Sequence, residues 1–369
     1  MKIQRSAAIL LSRQPLRPCG QDAWVRQTLS AVRWVKANSL VLHSSVGVQT
    51  WELITALASV EKLPLILMIP AASKADFFKI KKQTLEQFAL DETLVTFRAL
   101  LAIDERSFDK HKLMQERDQL IALDSDVVVP ISIRKGGVMS ELVAAAETDG
   151  KPIINSWRIN HETRVGKLGY TIAPEDLTEE ILSCKDRYLV HWTRAANTCW
   201  PTERAVDYYR DVVHSQKCPR SGFDTLESIM NSRKIVASSN NMPGNTRCVC
   251  FSALRPSELV PLIRWRARYS QMSFEPYGIG IERKTANALG IKPVCYYQSA
   301  EGPPSVIEPW LTQSAGSKSD WRQEKEYRHS GDIDFSAIPK DRLACFCRTS
   351  AEAEQLSAST GIRTVPFTD

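Results

Sequence analysis

The sequence predicts an α/β protein whose first part is a doubly wound parallel sheet and whose second part is an α+β domain. Three observations lead there. Short, uniformly apolar runs alternate with helix-length amphipathic stretches through the first part, the pattern of a parallel sheet covered on both faces. The texture changes at about residue 160, beyond which short strands and helices come in irregular order. Finally, 369 residues exceed what one hydrophobic core usually holds, so two domains are expected.

Taken in order, the strands of the first part are "AAILLS", "SLVLHSS", "PLILMIP", "LVTFRALLA", "DVVVPIS" and "KPIINSW". The helices between them are "DAWVRQTLSAVRWVKA", "QTWELITALASVE", "ADFFKIKKQTLEQFA", "DKHKLMQERDQLIAL" and "GVMSELVAAAET". The opening apolar run resembles a signal peptide, but Arg13 and Arg17 follow at once and no small-residue cleavage site is present, so it reads as the first strand. No stretch has the apolar length of a bilayer span, and a cytoplasmic location without membrane association is expected.

Residues 1–160 form the expected first domain, 161–186 a polar linker and 187–369 the second domain. Its elements are "YLVHWT", "ERAVDYYRDVVHS", "DTLESIMNSR", "KIVASS", "RCVCFS", "SELVPLIRWRARYS", "YGIGIER", "PVCYY" and "RLACFCR". The Ser-, Gly- and Pro-rich stretch 299–320 reads as a surface loop. Within "RWRARYS", Arg264, Arg266 and Arg268 alternate with Trp265 and Tyr269 on an expected helix. That helix either contacts an anion or is a solvated amphipathic face.

Hydrophobic residues make up 43% and charged residues 24%, an ordinary globular balance that excludes a disordered chain. The net charge of +6 favours an anionic ligand. Nine cysteines include two Cys-x-Cys pairs, Cys248/Cys250 and Cys345/Cys347. On strands each pair shares a face, and buried thiols are expected rather than a metal site or disulfide.

Two turns carry candidate chemistry in the first half. "HSSVGVQTWE" and "SIRKGGVMSE" each join a strand to a helix, where unpaired amides and the helix dipole favour an anion. Gly47, Gly136 and Gly137 allow close approach, Arg134 and Lys135 add charge, and Ser44, Ser45 and Ser132 offer hydroxyls. The alternative is plain turn chemistry requiring glycine. "SSVGVQTWELITAL" and "SIRKGGVMSELVAAAETDGKPI" resemble the corresponding segments of DprA/Smf-type proteins, and more widely the LOG-like nucleotide-binding domains. The chain departs from the DprA pattern at Ser45 and Gln49. The resemblance implies a Rossmann-like domain that binds a nucleotide or a nucleic-acid phosphate.

In the second half, "YLVHWTRAANTCWP" carries His191 and Arg194, "SFEPYGIGIER" carries Glu275 and Tyr277, and "SDWRQEKEYRHSGD" carries Trp321, Glu324, Glu326 and Arg328. If "WRQEKEYR" is extended, Glu324, Glu326 and Arg328 share a face. Paired carboxylates there either perturb one another, as glycosidic chemistry needs, or belong to a solvated charge-laced surface. His191 is either a satisfied edge histidine or a ribose contact, and Tyr277 a stacking platform or a packed aromatic. The order of these motifs is similar to the AbiGi-type phage-resistance proteins. It also resembles the His-Tyr-Glu plan of ADP-ribosyltransferase-like domains, including the DarT type. The latter implies that His191 contacts a ribose, Tyr277 stacks on nicotinamide, and Glu326 holds the nicotinamide ribose with Glu324 as the preceding acid. It further implies that NAD is the substrate, with a macromolecular acceptor; Arg194 and Arg328 are the candidate ligand- or phosphate-binding residues of this half. Together these readings predict a sensor–effector protein, and the resemblance to phage-resistance proteins implies a role in defence against phage. The alternatives are a non-enzymatic nucleotide-binding regulator, or single-stranded DNA binding by the first domain.

Overall fold

The computed structural model describes residues 4–102, 109–162, 169–240, 242–298, 300, 302–315 and 321–369. The chain forms two compact units, Met1–Gly166 with Asn197–Pro219, and Lys167–Ala196 with Arg220–Asp369.

Unit 1 is built on five parallel strands: β1 (Ser6–Leu10), β2 (Val41–Ser45), β3 (Leu65–Ala71), β4 (Val95–Leu101) and β5 (Val127–Pro130). Their order is β4-β3-β2-β1-β5, so the direction of winding reverses between β1 and β5. Helices α1 (Ala23–Ala37), α2 (Gln49–Val60), α3 (Lys74–Gln87), α4 (Lys110–Asp124) and α5 (Val138–Thr148) follow the strands in turn. All five residues of β1 are buried. Helix α1 buries Trp24, Thr28, Ala31, Val32 and Val35, a stripe at helical spacing. Helix α4 starts where the Asp109 side chain accepts from the amides of His111 and Lys112.

The expected sixth strand, "KPIINSW", is reduced to one parallel bridge between Val128 and Ile153. Pro152 contributes its carbonyl to Val128, a turn closes between Asn155 and Arg158, and parallel pairing resumes where Ile159–Asn160 meets Ser132–Ile133. The expected domain bounds also need correction. Helix α6 (Ala205–His214), expected in the second domain, buries Tyr208, Tyr209 and Val212 in the core of unit 1. The described part of the expected linker is not free chain. Thr178 donates to the Pro366 carbonyl, and Ile181 and Cys184 are buried in a core cluster of unit 2.

Unit 2 centres on a seven-stranded sheet. Its strands are β6 (Tyr188–Trp192), β7 (Cys248–Ser252), β8 (Gly278–Glu282), β9 (Lys292–Pro293), β10 (Glu326–Ser330), β11 (Leu343–Thr349) and β12 (Thr364–Thr368), in the order β9-β10-β7-β6-β8-β11-β12. All neighbours are antiparallel except β11 and β12. Helices α7 (Gly222–Ser232) and α8 (Ser350–Thr360) each begin with a capping box, Ser221 with Asp224 and Thr349 with Glu352. The fold class is thus an α/β first part followed by an α+β region. Among the described residues no helix is long and apolar enough to cross a membrane.

Candidate functional site

The first candidate place lies at the carboxyl ends of β1 and β5, where the winding of unit 1 reverses; open α/β sheets bind ligands at such a point. The Ser12 hydroxyl accepts from the Arg134 amide at 2.8 Å, and the Ser12 amide donates to the Ser132 carbonyl at 2.9 Å. These bonds fix the turn that opens α5. Gly136 sits at φ +69, which favours glycine, and Gly137 precedes the helix without offering a capping side chain. Arg134 and Lys135 are exposed beside it. The Ser132 hydroxyl, by contrast, is buried against His161 Nδ1 at 3.1 Å.

The other expected cradle is closed from within. Gly47 has φ +87, as a tight turn requires, but its amide donates to the Glu52 carboxylate at 3.1 Å. Ser44 and Ser45 are fully buried. Ser44 is bonded to the Thr55 hydroxyl, and Ser45 donates to the Met68 carbonyl at 2.7 Å. A central strand covered on both faces turns these hydroxyls into the core, so they do not face a ligand.

The second place is a cleft of about 690 Å³ in unit 2. It opens where β6 and β7, paired only at Val190 and Ser252, stop pairing. There the His191 ring takes the place of a backbone rung, with Nδ1 donating to the Cys250 carbonyl at 2.8 Å. Burial lowers the His191 pKa, so the ring is neutral and leaves Nε2 as an acceptor. Strand alternation places Ser252 and Cys250 of β7 opposite Glu326 and Arg328 of β10. The cleft is lined by His191, Arg194, Arg266, Glu324, Glu326 and Arg328, with Tyr269 and Trp321 supplying aromatic surface.

The two acids are held differently. Glu326 is gripped in bidentate fashion by Arg328, Nε to Oε1 at 2.8 Å and Nη2 to Oε2 at 3.0 Å. Glu324 pairs with Arg266 at 3.1 Å, and that guanidinium lies 4.4 Å from the centre of the Trp321 ring. Burial holds the Glu324 carboxyl above its ordinary range despite the opposing pull of Arg266. Only part of "WRQEKEYR" is extended. Trp321–Glu324 is a 3-10 turn, Lys325 adopts φ +44, and the strand starts at Glu326.

Of the residues singled out in the second half, the cleft brings together His191, Arg194, Glu324, Glu326 and Arg328. Two expectations need correction. Tyr277 is outside the lining: it is 4% exposed, packs edge-on against Tyr170 and Phe223, and donates to Glu352 at 3.0 Å. Arg328 is 1% exposed, and its guanidinium is engaged by Glu326, the carbonyls of Trp310 and Thr312, and Gln313 Oε1. It holds Glu326 rather than a phosphate. Glu275 likewise is structural, accepting from the Ala195 amide and the Tyr170 hydroxyl.

Arg266 and Tyr269 reach the cleft from a hairpin, not the expected helix. Trp265–Arg266 pairs with Gln271–Met272, and Ser270 turns the chain at φ +49. The preceding helical residues form a 3-10 segment, Pro256–Leu262, with Pro261 in its interior. The alternation of arginines and aromatics was the available signal, since it also suits a strand. Within the expected surface loop, Trp310 and Leu311 are buried, while 299, 301 and 316–320 lie outside the described residues. Among the described residues no group of three or more His, Cys, Asp or Glu side chains could hold a metal ion.

No family model matches the chain, and no curated protein matches it. Solved structures that are similar include DNA processing protein A (DprA) from Streptococcus pneumoniae. It is 13% identical, with TM-score 0.29, over 41% of this chain and 49% of that one. Another is DNA processing protein A from Helicobacter pylori, described with a single-stranded DNA binding mode. It is 17% identical, with TM-score 0.30, over 44% of this chain and 67% of that one. The chain thus spans about half the length of the pneumococcal protein.

Proposed function

We propose that unit 2 is a nucleotide-handling domain that binds NAD in its cleft and breaks the nicotinamide–ribose bond. The observation that supports this reading is the convergence of His191, Arg194, Glu324 and Glu326 on one cavity from distant parts of the sequence. A volume of about 690 Å³ suits a dinucleotide. In this scheme the neutral His191 accepts from a ribose hydroxyl and Arg194 meets a phosphate. Glu326, fixed in orientation by Arg328, stabilises the positive charge that develops at the ribose carbon. The C–N bond breaks with its electron pair leaving on nicotinamide. Water or an acceptor adds to the carbon, and Glu324 takes the proton that is released.

Nicotinamide release from NAD, followed by chromatography, tests the scheme. Glu326→Gln is expected to lower the rate at least about 100-fold with little change in NAD affinity. No release and no NAD binding by the unaltered protein, with single-stranded DNA present or absent, would remove the reading.

A second reading concerns unit 1, and the exposed Arg134 and Lys135 at the uncapped start of α5 favour it. There the unit binds the phosphate of a nucleotide or a polynucleotide. Single-stranded DNA, the ligand described for the Helicobacter pylori protein, is the polymer to test. Arg134→Glu with Lys135→Glu is expected to weaken binding at least about tenfold and to reduce the salt dependence by about two phosphate contacts. Unchanged affinity and unchanged salt slope would remove it.

A further inference from the structure

Arg328 anchors more than Glu326. A guanidinium carries five N–H donors, and here each has an acceptor. Nε meets Glu326 Oε1, Nη1 meets the carbonyls of Trp310 and Thr312, and Nη2 meets Glu326 Oε2 and Gln313 Oε1. The residue is 1% exposed, so this saturated, buried cation fixes the groups it holds. Gln313 lies on the short strand Thr312–Ser314, which pairs in parallel with Cys295–Tyr297. Because a guanidinium only donates, the amide oxygen is the atom that faces Arg328, at 2.8 Å, and the amide nitrogen is turned away from it. Gln313 is half-buried and lines the cleft, and its Nε2 has no hydrogen-bond partner among the described residues. Glu326 lines the same cleft, and its oxygens keep lone pairs beyond the bonds from Arg328. One nitrogen, Arg328 Nη2, thus sets an acceptor and an oriented donor side by side.

The pair complements a group with a donor and an acceptor on neighbouring atoms. A phosphate offers acceptors alone, and its charge would be repelled by the Glu326 carboxylate. A vicinal diol fits, since every hydroxyl both donates and accepts. In the bond-breaking scheme Glu326 lies at the nicotinamide ribose, whose 2- and 3-hydroxyls are such a diol. We propose that Gln313 Nε2 donates to the 3-hydroxyl of this ribose while Glu326 accepts from the 2-hydroxyl. This rests on reading the cleft as a dinucleotide site. Gln313 touches the sugar and not the bond that breaks, so it is a specificity-determining residue that selects a complete ribose.

ADP-ribose carries the same sugar without nicotinamide to lose, so its binding can be followed at equilibrium. By calorimetry, the unaltered protein is expected to bind ADP-ribose about fivefold more tightly than the analogue lacking the 3-hydroxyl of the distal ribose. Gln313→Met keeps the length of the side chain and deletes the donor, and it is expected to bind the two ligands equally. A general loosening around Arg328 would instead weaken both ligands by the same factor and leave the preference intact. In the unaltered protein, the assigned side-chain amide resonances of Gln313 are expected to shift on saturation with ADP-ribose and to stay near their free positions with the analogue. That measurement needs no variant. A preference retained by Gln313→Met, no preference in the unaltered protein, or amide resonances that respond alike to both ligands overturns the contact and leaves the cleft reading standing. Failure of the unaltered protein to bind either ADP-ribose or NAD overturns both.

Discussion

Gly278 and Trp192 show how single positions shape the cleft. They face each other across β6 and β8, and the absence of a side chain at Gly278 is what lets the indole lie over the neighbouring strand. Glu324 is the other telling residue, because burial dominates its environment and disfavours the ionised form. Its folded-state pKa lies above the unfolded one, so the folded state binds the proton more tightly. The resulting penalty is absent below the ordinary carboxylate range and grows as pH rises through the folded pKa. Glu324→Gln removes that titration. The melting temperature of the variant relative to the unaltered protein is therefore expected to rise between about pH 4 and pH 7. Thermal scans of both proteins across this range check it, and a falling difference would mean that the Arg266 pair outweighs burial.

At the scale of elements, α6 is the instructive case. Its apolar stripe and its length were readable from "ERAVDYYRDVVHS", but periodicity says only that a helix has a buried face, not which core buries it. The answer depends on partners distant in sequence. Tyr209 donates to Glu52 at 2.9 Å, the Ala205 amide donates to Gln87, and the Gly20 amide donates to the Ser215 carbonyl at 3.0 Å. A side chain at Gly20 would come within 2.2 Å of the Val213 carbonyl oxygen. Gly20→Ala is expected to cost unit 1 about 3 kcal/mol or more and to speed amide exchange across 205–214 ahead of α1. Hydrogen exchange with mass spectrometry reads this directly, and unchanged protection of α6 would contradict it. The parallel-sheet elements were legible for the opposite reason: burial on both faces leaves uniformly apolar runs that need no distant information. Legibility at the cleft was uneven. The residue types were visible in "HWTR" and "EKEYR", whereas the contribution of Arg266 and Tyr269 depended on a hairpin closed by Ser270, and the exclusion of Tyr277 on packing around Glu352.

For the whole molecule, the chain passes between its units at 166–167, 196–197 and 219–220. The excursion that carries α6 is tied at its roots within unit 2, where the Ala196 amide donates to the Arg220 carbonyl at 2.9 Å. A fragment of residues 1–162 retains the five-stranded sheet but lacks the helix that covers α2. It is expected to melt at lower temperature than the same fragment supplied with a peptide of residues 197–219, by about 2–4 °C for each kcal/mol restored. Equal melting with and without the peptide would show that α6 adds nothing to that core.

The interleaving also limits how such a protein can be inherited in pieces. A recombination event at one junction near residue 165 would deliver a sheet stripped of a helix it buries, joined to a neighbour still displaying an orphaned apolar stripe. Partners could be exchanged only if the short 197–219 segment travelled with its sheet, so the two halves are expected to descend together rather than be shuffled freely.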